Sequence, residues 1–176
     1  MSQLIRFVYA SRSVHTPANG AVDPVVGSIL AQSRRNNPRE QISGVLFFGD
    51  GYFFQCLEGE ESKVIATFNR ILKDDRHQDA RVLMQEEISE RLFTDWSMKY
   101  VPAAEGVQSL LKENGYRRFT PFEFSPHFIN TLIRYFQQLQ QPPSSGADEP
   151  LLPGQAKQPA AQNGILHRIA ARLGFS

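Results

Sequence analysis

Along Gln3–Ala10 the side chains alternate, with Ile5, Phe7 and Tyr9 on one side and Leu4 and Val8 on the other. Apolar residues on both sides predict a strand buried on both faces. Asp23-Pro24 predicts a helix start, an N-cap side chain followed by proline at the first helical position. Val26, Ile29, Leu30 and Ser33 share one side of that helix, whose pattern stops near Asn36-Asn37-Pro38. Ile42–Gly49 and Tyr52–Glu58 read as strands joined at Asp50-Gly51, a strong hairpin signal. Helical spacing returns with Val64, Ile65, Phe68, Ile71 and Leu72, followed by strand-like runs at Ala80–Ile88 and Phe93–Val101. The order βαββαββ predicts an α+β fold, a ferredoxin-like sandwich with both helices on one sheet face. The opposite face carries Leu4, Val8, Phe54 and Cys56 and needs a cover of its own. C-terminal helices are expected to supply it, above all one starting at Ser125-Pro126 with Phe128, Leu132, Tyr135 and Phe136 as its stripe.

Composition divides the chain. Five of its 11 prolines fall between Pro142 and Pro159, and no aromatic residue occurs from Gln137 to Gly174. Such a stretch cannot bury enough apolar surface to offset its ordering entropy. The expected organisation is a core at 1–104, a helical cap at 105–141, a flexible linker at 142–162 and a short tail at 163–176. In the tail, Ile165, Leu166, Ile169 and Leu173 share a helical side while His167, Arg168 and Arg172 lie elsewhere. That pattern predicts a basic amphipathic segment able to touch a partner or an anionic membrane surface weakly. Lys+Arg 19 against Asp+Glu 18 argues against a whole-domain grip on nucleic acid. The single cysteine, Cys56, excludes a disulfide scaffold and a multi-cysteine zinc site, and no metal site is expected. No secretory signal is read in MSQLIRFVYASR, and no apolar run reaches about 18 residues, so a cytoplasmic protein is expected. Thirteen phenylalanines are many for 176 residues.

The informative polar position is Gln55. It shares a face with Phe53 and Leu57, so its amide points into the apolar layer under the helices, where unmet hydrogen bonds cost about 1–3 kcal/mol. Tyr9 ends the Ile5/Phe7 face on the same side. Asn37 lies just past the first helix with Asn36 beside it, and Trp96 and Met98 share a face of the last strand. Together these residues predict an amide-rich, acid-poor pocket suited to a flat heteroaromatic ligand with imide-like edges. Taken singly, the residues leave plainer roles open. Tyr9 then edges the core, Asn36-Asn37 caps a helix, His77 sits at a helix dipole's negative end and Met98 fills space. Two other classes share the fold. An RNA-recognition domain would need Tyr52 and Phe54 exposed beside basic residues. An acylphosphatase-like enzyme would need an arginine-asparagine phosphate cradle in a glycine-rich loop, which is not found.

The segments LIRFVYAS, SRRNN, ISGVLFFGDGYFFQCLEGE, ILKDDRH and RLFTDWSMKY occur in this order. With Gln55 placed 18 residues after Asn37 and 41 before Trp96, the chain resembles the BLUF domains, blue-light sensors that use flavin adenine dinucleotide (FAD), from Leu4 to about Tyr100. The resemblance implies non-covalent FAD, Tyr9 as the photoactive tyrosine, Gln55 as the switching glutamine, and Trp96 and Met98 as the pair tied to signalling. It places Asn37 on the isoalloxazine ring with Ile29 flanking it, and Ser33, Asn36, Arg70, Asp74, Arg76 and His77 along the rest of the cofactor. Light is then expected to take an electron and a proton from Tyr9 and let the Gln55 amide rearrange, a switch rather than an enzyme reaction. The change is expected to travel through the last strand and C-terminal helices to a separate regulatory protein. Homo-oligomers and no direct nucleic-acid contact are expected as well. Two features depart from the family pattern: the loop from Ser11 to Val22 is long, and Lys99 stands where a small residue often follows the Trp-Ser-Met run.

Overall fold

A computed structural model describes residues 3–14, 24–95, 97–101 and 105–139. Asp23, Trp96, the linker at 142–162 and the tail at 163–176 lie outside the described residues, as does most of the loop before Asp23. The elements are β1 (Leu4–Ser13), α1 (Pro24–Glu40), β2 (Ser43–Gly49), β3 (Tyr52–Glu60), α2 (Glu61–Ile71), β4 (His77–Glu87), β5 (Lys99–Val101), α3 (Glu105–Glu113) and α4 (Pro126–Gln138), with a 3-10 turn at Pro121–Glu123. The strands form one sheet in the order β4-β1-β3-β2-β5. All pairs are antiparallel except β2 with β5. This is the predicted α+β sandwich.

Strand alternation builds two separate cores on the one sheet. Ile5, Phe7, Tyr9, Phe53 and Leu57 pack against Val26 and Leu30 of α1 and Val64 and Phe68 of α2. Val8, Val45, Phe47, Phe54 and Cys56 pack on the opposite face against α3 and against Phe128, Leu132 and Phe136 of α4. The phenylalanine excess is spent largely there. Phe47 stacks on Phe136 at 5.2 Å and tilts against Phe119 at 4.5 Å. Each such ring, fully buried, contributes about 1.5–3 kcal/mol. Phe54 is sealed beneath this layer, so the exposed aromatic platform of an RNA-recognition domain is missing.

Local signals explain most boundaries. Asp50 (φ 49°) and Gly51 (φ 80°) are both left-handed, as a two-residue type I′ hairpin requires. The Asp50 carboxylate also accepts the Phe119 N–H at 2.7 Å, pinning the hairpin to the chain between α3 and α4. Ser125 caps α4 by accepting the Phe128 N–H at 3.2 Å, with Pro126 next to it.

Three readings need correction. First, α1 does not stop at Asn36-Asn37 but runs through Pro38 to Glu40. Its end is a Schellman motif in which Gln41 is left-handed (φ 54°) and the Ile42 N–H reaches the Asn37 carbonyl at 2.9 Å. The asparagines are therefore helical and free to point a side chain inward. Second, His77 does not end α2; it opens β4. The intervening turn is held by the Asp74 carboxylate, which accepts the Arg76 N–H at 3.0 Å. Third, the strand expected over Phe93–Val101 shrinks to Lys99–Val101, leaving Met98 just before it. The backbone ahead of β5 is held by side chains instead of a ladder. Fully buried Glu58 accepts the N–H groups of Leu92 and Phe93 at 2.9 and 3.0 Å. Asn37 Nδ2 donates to the Ser97 carbonyl at 2.8 Å and Arg34 Nε to that of Met98 at 3.3 Å.

Candidate functional site

Tyr9 and Gln55 face each other across the β1–β3 pair. Both lie under α1 and α2, and Gln55 is 1% exposed. The Tyr9 hydroxyl donates to Gln55 Oε1, and Gln55 Nε2 donates to Met98 Sδ at 3.4 Å. A buried amide is thus held between a phenol and a thioether. The thioether is a weak acceptor, so the amide is bound firmly at its oxygen end and loosely at its nitrogen end. The Tyr9 ring leans on Phe68, centroid to centroid 5.0 Å. Burial, reinforced by the negative charge of Asp74, pushes the Tyr9 hydroxyl pKa well above the usual tyrosine range. Tyr9 is therefore a protonated donor throughout the physiological range.

These two residues form the floor of a cavity of about 740 Å³, open mouth included. Asn37, Ile29, Ser33 and Asn36 reach it from α1, and Arg70 from α2. Asp74 and Arg76 line it from the α2–β4 turn, and His77 from the start of β4. The structure thus brings to one cavity every residue that the resemblance assigned to the cofactor. Met98 meets the site as the acceptor for Gln55 and as part of the same apolar layer, and the placement of Trp96 falls outside the described residues.

The mouth is cross-braced. Arg76 clasps Asp74 and donates to Ser28 Oγ at 2.8 Å and Gln32 Oε1 at 2.6 Å, linking the turn to α1. The hydrogen bond from Arg76 holds the Asp74 carboxyl below its ordinary range. Arg70 donates to Thr67 Oγ1 at 2.8 Å. His77 is held neutral by burial, which lowers its pKa from the ordinary 6.5. Both of its ring nitrogens and the Ser11 hydroxyl are buried with no hydrogen-bond partner among the described residues. Buried polar groups are normally paired, so these atoms mark where a ligand's polar atoms belong.

Ser11, Gln32 and Thr67 line the cavity too, and the sequence reading passed over them. Ser11 lies two residues beyond Tyr9 on the same strand face. Gln32 follows Ile29 by one helical turn, and Thr67 precedes Arg70 by one. Extending each periodicity by one step would have found them. Among the described residues, no group of histidine, cysteine or acidic side chains could hold a metal ion.

A family model for sensors of blue light using FAD (BLUF) matches residues 4–99. The chain is 30% identical over 119 residues to photoactivated adenylate cyclase subunit beta of Euglena gracilis, a match covering 62% of this chain and 13% of that protein. The structure superposes on BlsA in its photo-activated state with a TM-score of 0.72 and 31% identity, covering 79% of this chain and 98% of that one. For the dark-state structure of the BLUF protein BlrB the TM-score is 0.62 at 29% identity, covering 78% and 97%. The family match spans more than half of the chain, and the chain belongs to the BLUF family, sensors of blue light using FAD.

Proposed function

We propose that this chain is a blue-light photoreceptor in which the Tyr9–Gln55–Met98 chain of hydrogen bonds is the switch. The observation that carries the reading is a buried amide bonded to a phenol on one side and a thioether on the other. The residues present fit FAD. The cavity floor is apolar and amide-lined, its mouth carries Arg70 and Arg76, and Ser11 and His77 offer unmet polar atoms. In this reading Asn37, Asn36, Ser33 and Ile29 hold the ring system, while Arg70, Asp74, Arg76 and His77 hold the ribityl and phosphate portion.

Bound FAD supplies the absorption of blue light and an acceptor for one electron. Tyr9, kept protonated by its surroundings, gives up an electron together with its hydroxyl proton, whose first stop is Gln55 Oε1. The Gln55 amide then loses its fixed orientation, because its oxygen no longer meets a phenol donor and its nitrogen has, among the described residues, only the weak thioether acceptor of Met98. When the electron and proton return to Tyr9, the amide settles with its donor and acceptor ends rearranged. Met98 meets a different amide edge, and the chain ahead of β5 feels the change. No substrate is consumed.

Output to a separate regulatory protein is part of the same proposal. The chain aligns with nearly the whole of BlsA and BlrB but with 13% of the first curated cyclase relative. Purified protein should be yellow with a flavin spectrum and shift to the red, reversibly, under blue light. Colourless protein that cannot be loaded with FAD would refute the proposal.

A further inference from the structure

Residues 98 and 99 send their side chains to opposite faces of the sheet. Met98 lies in the pocket-side core and meets Gln55. Lys99 pairs with Val45, is 1% exposed and crosses to the other layer. Its ammonium donates to the carbonyl of Gln137 at 3.2 Å and to that of Leu139. Those two carbonyls close α4, whose C-cap is Leu139 and whose own last turn contains no basic residue. The final carbonyls of a helix lack intrahelical donors and carry the negative end of its dipole. Lys99 therefore supplies from β5 the cation that α4 does not supply for itself. Burial lowers the lysine pKa.

We propose that Lys99 is a positioning residue that ties the Gln55–Met98 contact to the C-terminal turn of α4, so that rearrangement of Gln55 alters the ordering of residues 135–139. The inference rests on the photoreceptor reading and names the residue by which the change crosses the sheet. Met98 and Lys99 are consecutive residues joined by one planar peptide unit, so a displacement of the Met98 backbone is passed first to Lys99.

The test is hydrogen exchange on the full chain loaded with FAD, in darkness and under blue light, with the flavin absorption followed in parallel. In the unmodified protein, exchange at 135–139 should change on illumination while that at 129–133 stays constant. Lys99→Met should retain the red shift, exchange roughly tenfold faster at 135–139 in the dark, and lose the light-dependent difference. Lys99→Arg should restore that difference. Should Lys99→Met not fold, Met98→Leu keeps the lysine but removes the acceptor for Gln55, and it too should abolish the light-dependent change at 135–139. A light-minus-dark difference that survives in either variant overturns the proposal, as does a normal red shift with constant exchange at 135–139 in the unmodified protein. Absence of any red shift would instead overturn the photoreceptor reading beneath it.

Discussion

Tyr9 and Gln55 divide the work of the proposed switch, and each can be interrogated alone. Tyr9→Phe removes the hydroxyl but keeps the ring on Phe68, so flavin should still bind while the light-induced red shift disappears in difference spectra. An intact shift would contradict the role given to Tyr9. His77 permits a test that needs no light. Its folded pKa lies below the ordinary 6.5, so below that value the unfolded chain binds more protons than the folded one. Stability is then full above pH 6.5 and falls as the pH descends toward the depressed folded value. Urea midpoints of the flavin-free chain should show this slope, and His77→Gln should flatten it. The Tyr9–Gln55 neighbourhood was legible in the residues themselves, because period-two alternation puts both on the helix-covered face and a buried glutamine stands out among Phe53 and Leu57. The orphaned atoms of Ser11 and His77 were not legible. They are defined by the lack of a partner, which only three dimensions reveal.

Among the elements, the segment entering β5 differs most from what periodicity suggests. Residues 93–101 carry a strand-like pattern, yet only 99–101 pair with β2, and the backbone groups of Phe93, Ser97 and Met98 bond the side chains of Glu58, Asn37 and Arg34, each more than 30 positions away in sequence. No local pattern encodes a bond of that span, and the strand was overdrawn for that reason. Pro38 misled in a similar way. It forfeits one hydrogen bond in the last turn of α1, but Gln41 and Ile42 close the helix beyond it. The importance of Glu58 follows from its two oxygens. One accepts from Arg6 at 2.8 Å and the other serves Leu92 and Phe93. Burial opposes the charge on Arg6, but the bonds to Glu58 and Glu86 outweigh it and raise the guanidinium pKa. Glu58→Ala leaves that cation underpaired and two amides unserved, and should lower stability by about 3 kcal/mol. Equilibrium denaturation would measure the loss, and faster exchange at residues 92–93 would locate it.

For the whole molecule, the decisive fact is that two cores share one sheet. The interior strands β1, β3 and β2 contribute to both, so neither layer keeps a backing if the other melts. Thermal unfolding followed by flavin release and by far-UV circular dichroism should therefore give coincident transitions. A C-terminal layer that melts first, with the flavin retained, would contradict this. The layered plan itself could be read from βαββαββ and the stripe of α4, whereas the burial of Lys99 could not, since a lysine on a three-residue strand reads as solvent-facing. The same alternation has a consequence for inheritance and for engineering. Ile5, Phe7, Tyr9, Phe53 and Leu57 of β1 and β3 face the cavity layer, and the even positions Val8, Phe54 and Cys56 face the C-terminal helices. Mutations can therefore accumulate in one set while the other is held constant, as if two genes were interleaved in one strand. On the proposed function, a lineage, or a designer, can alter the cavity face without rewriting the face against the C-terminal helices, and the reverse.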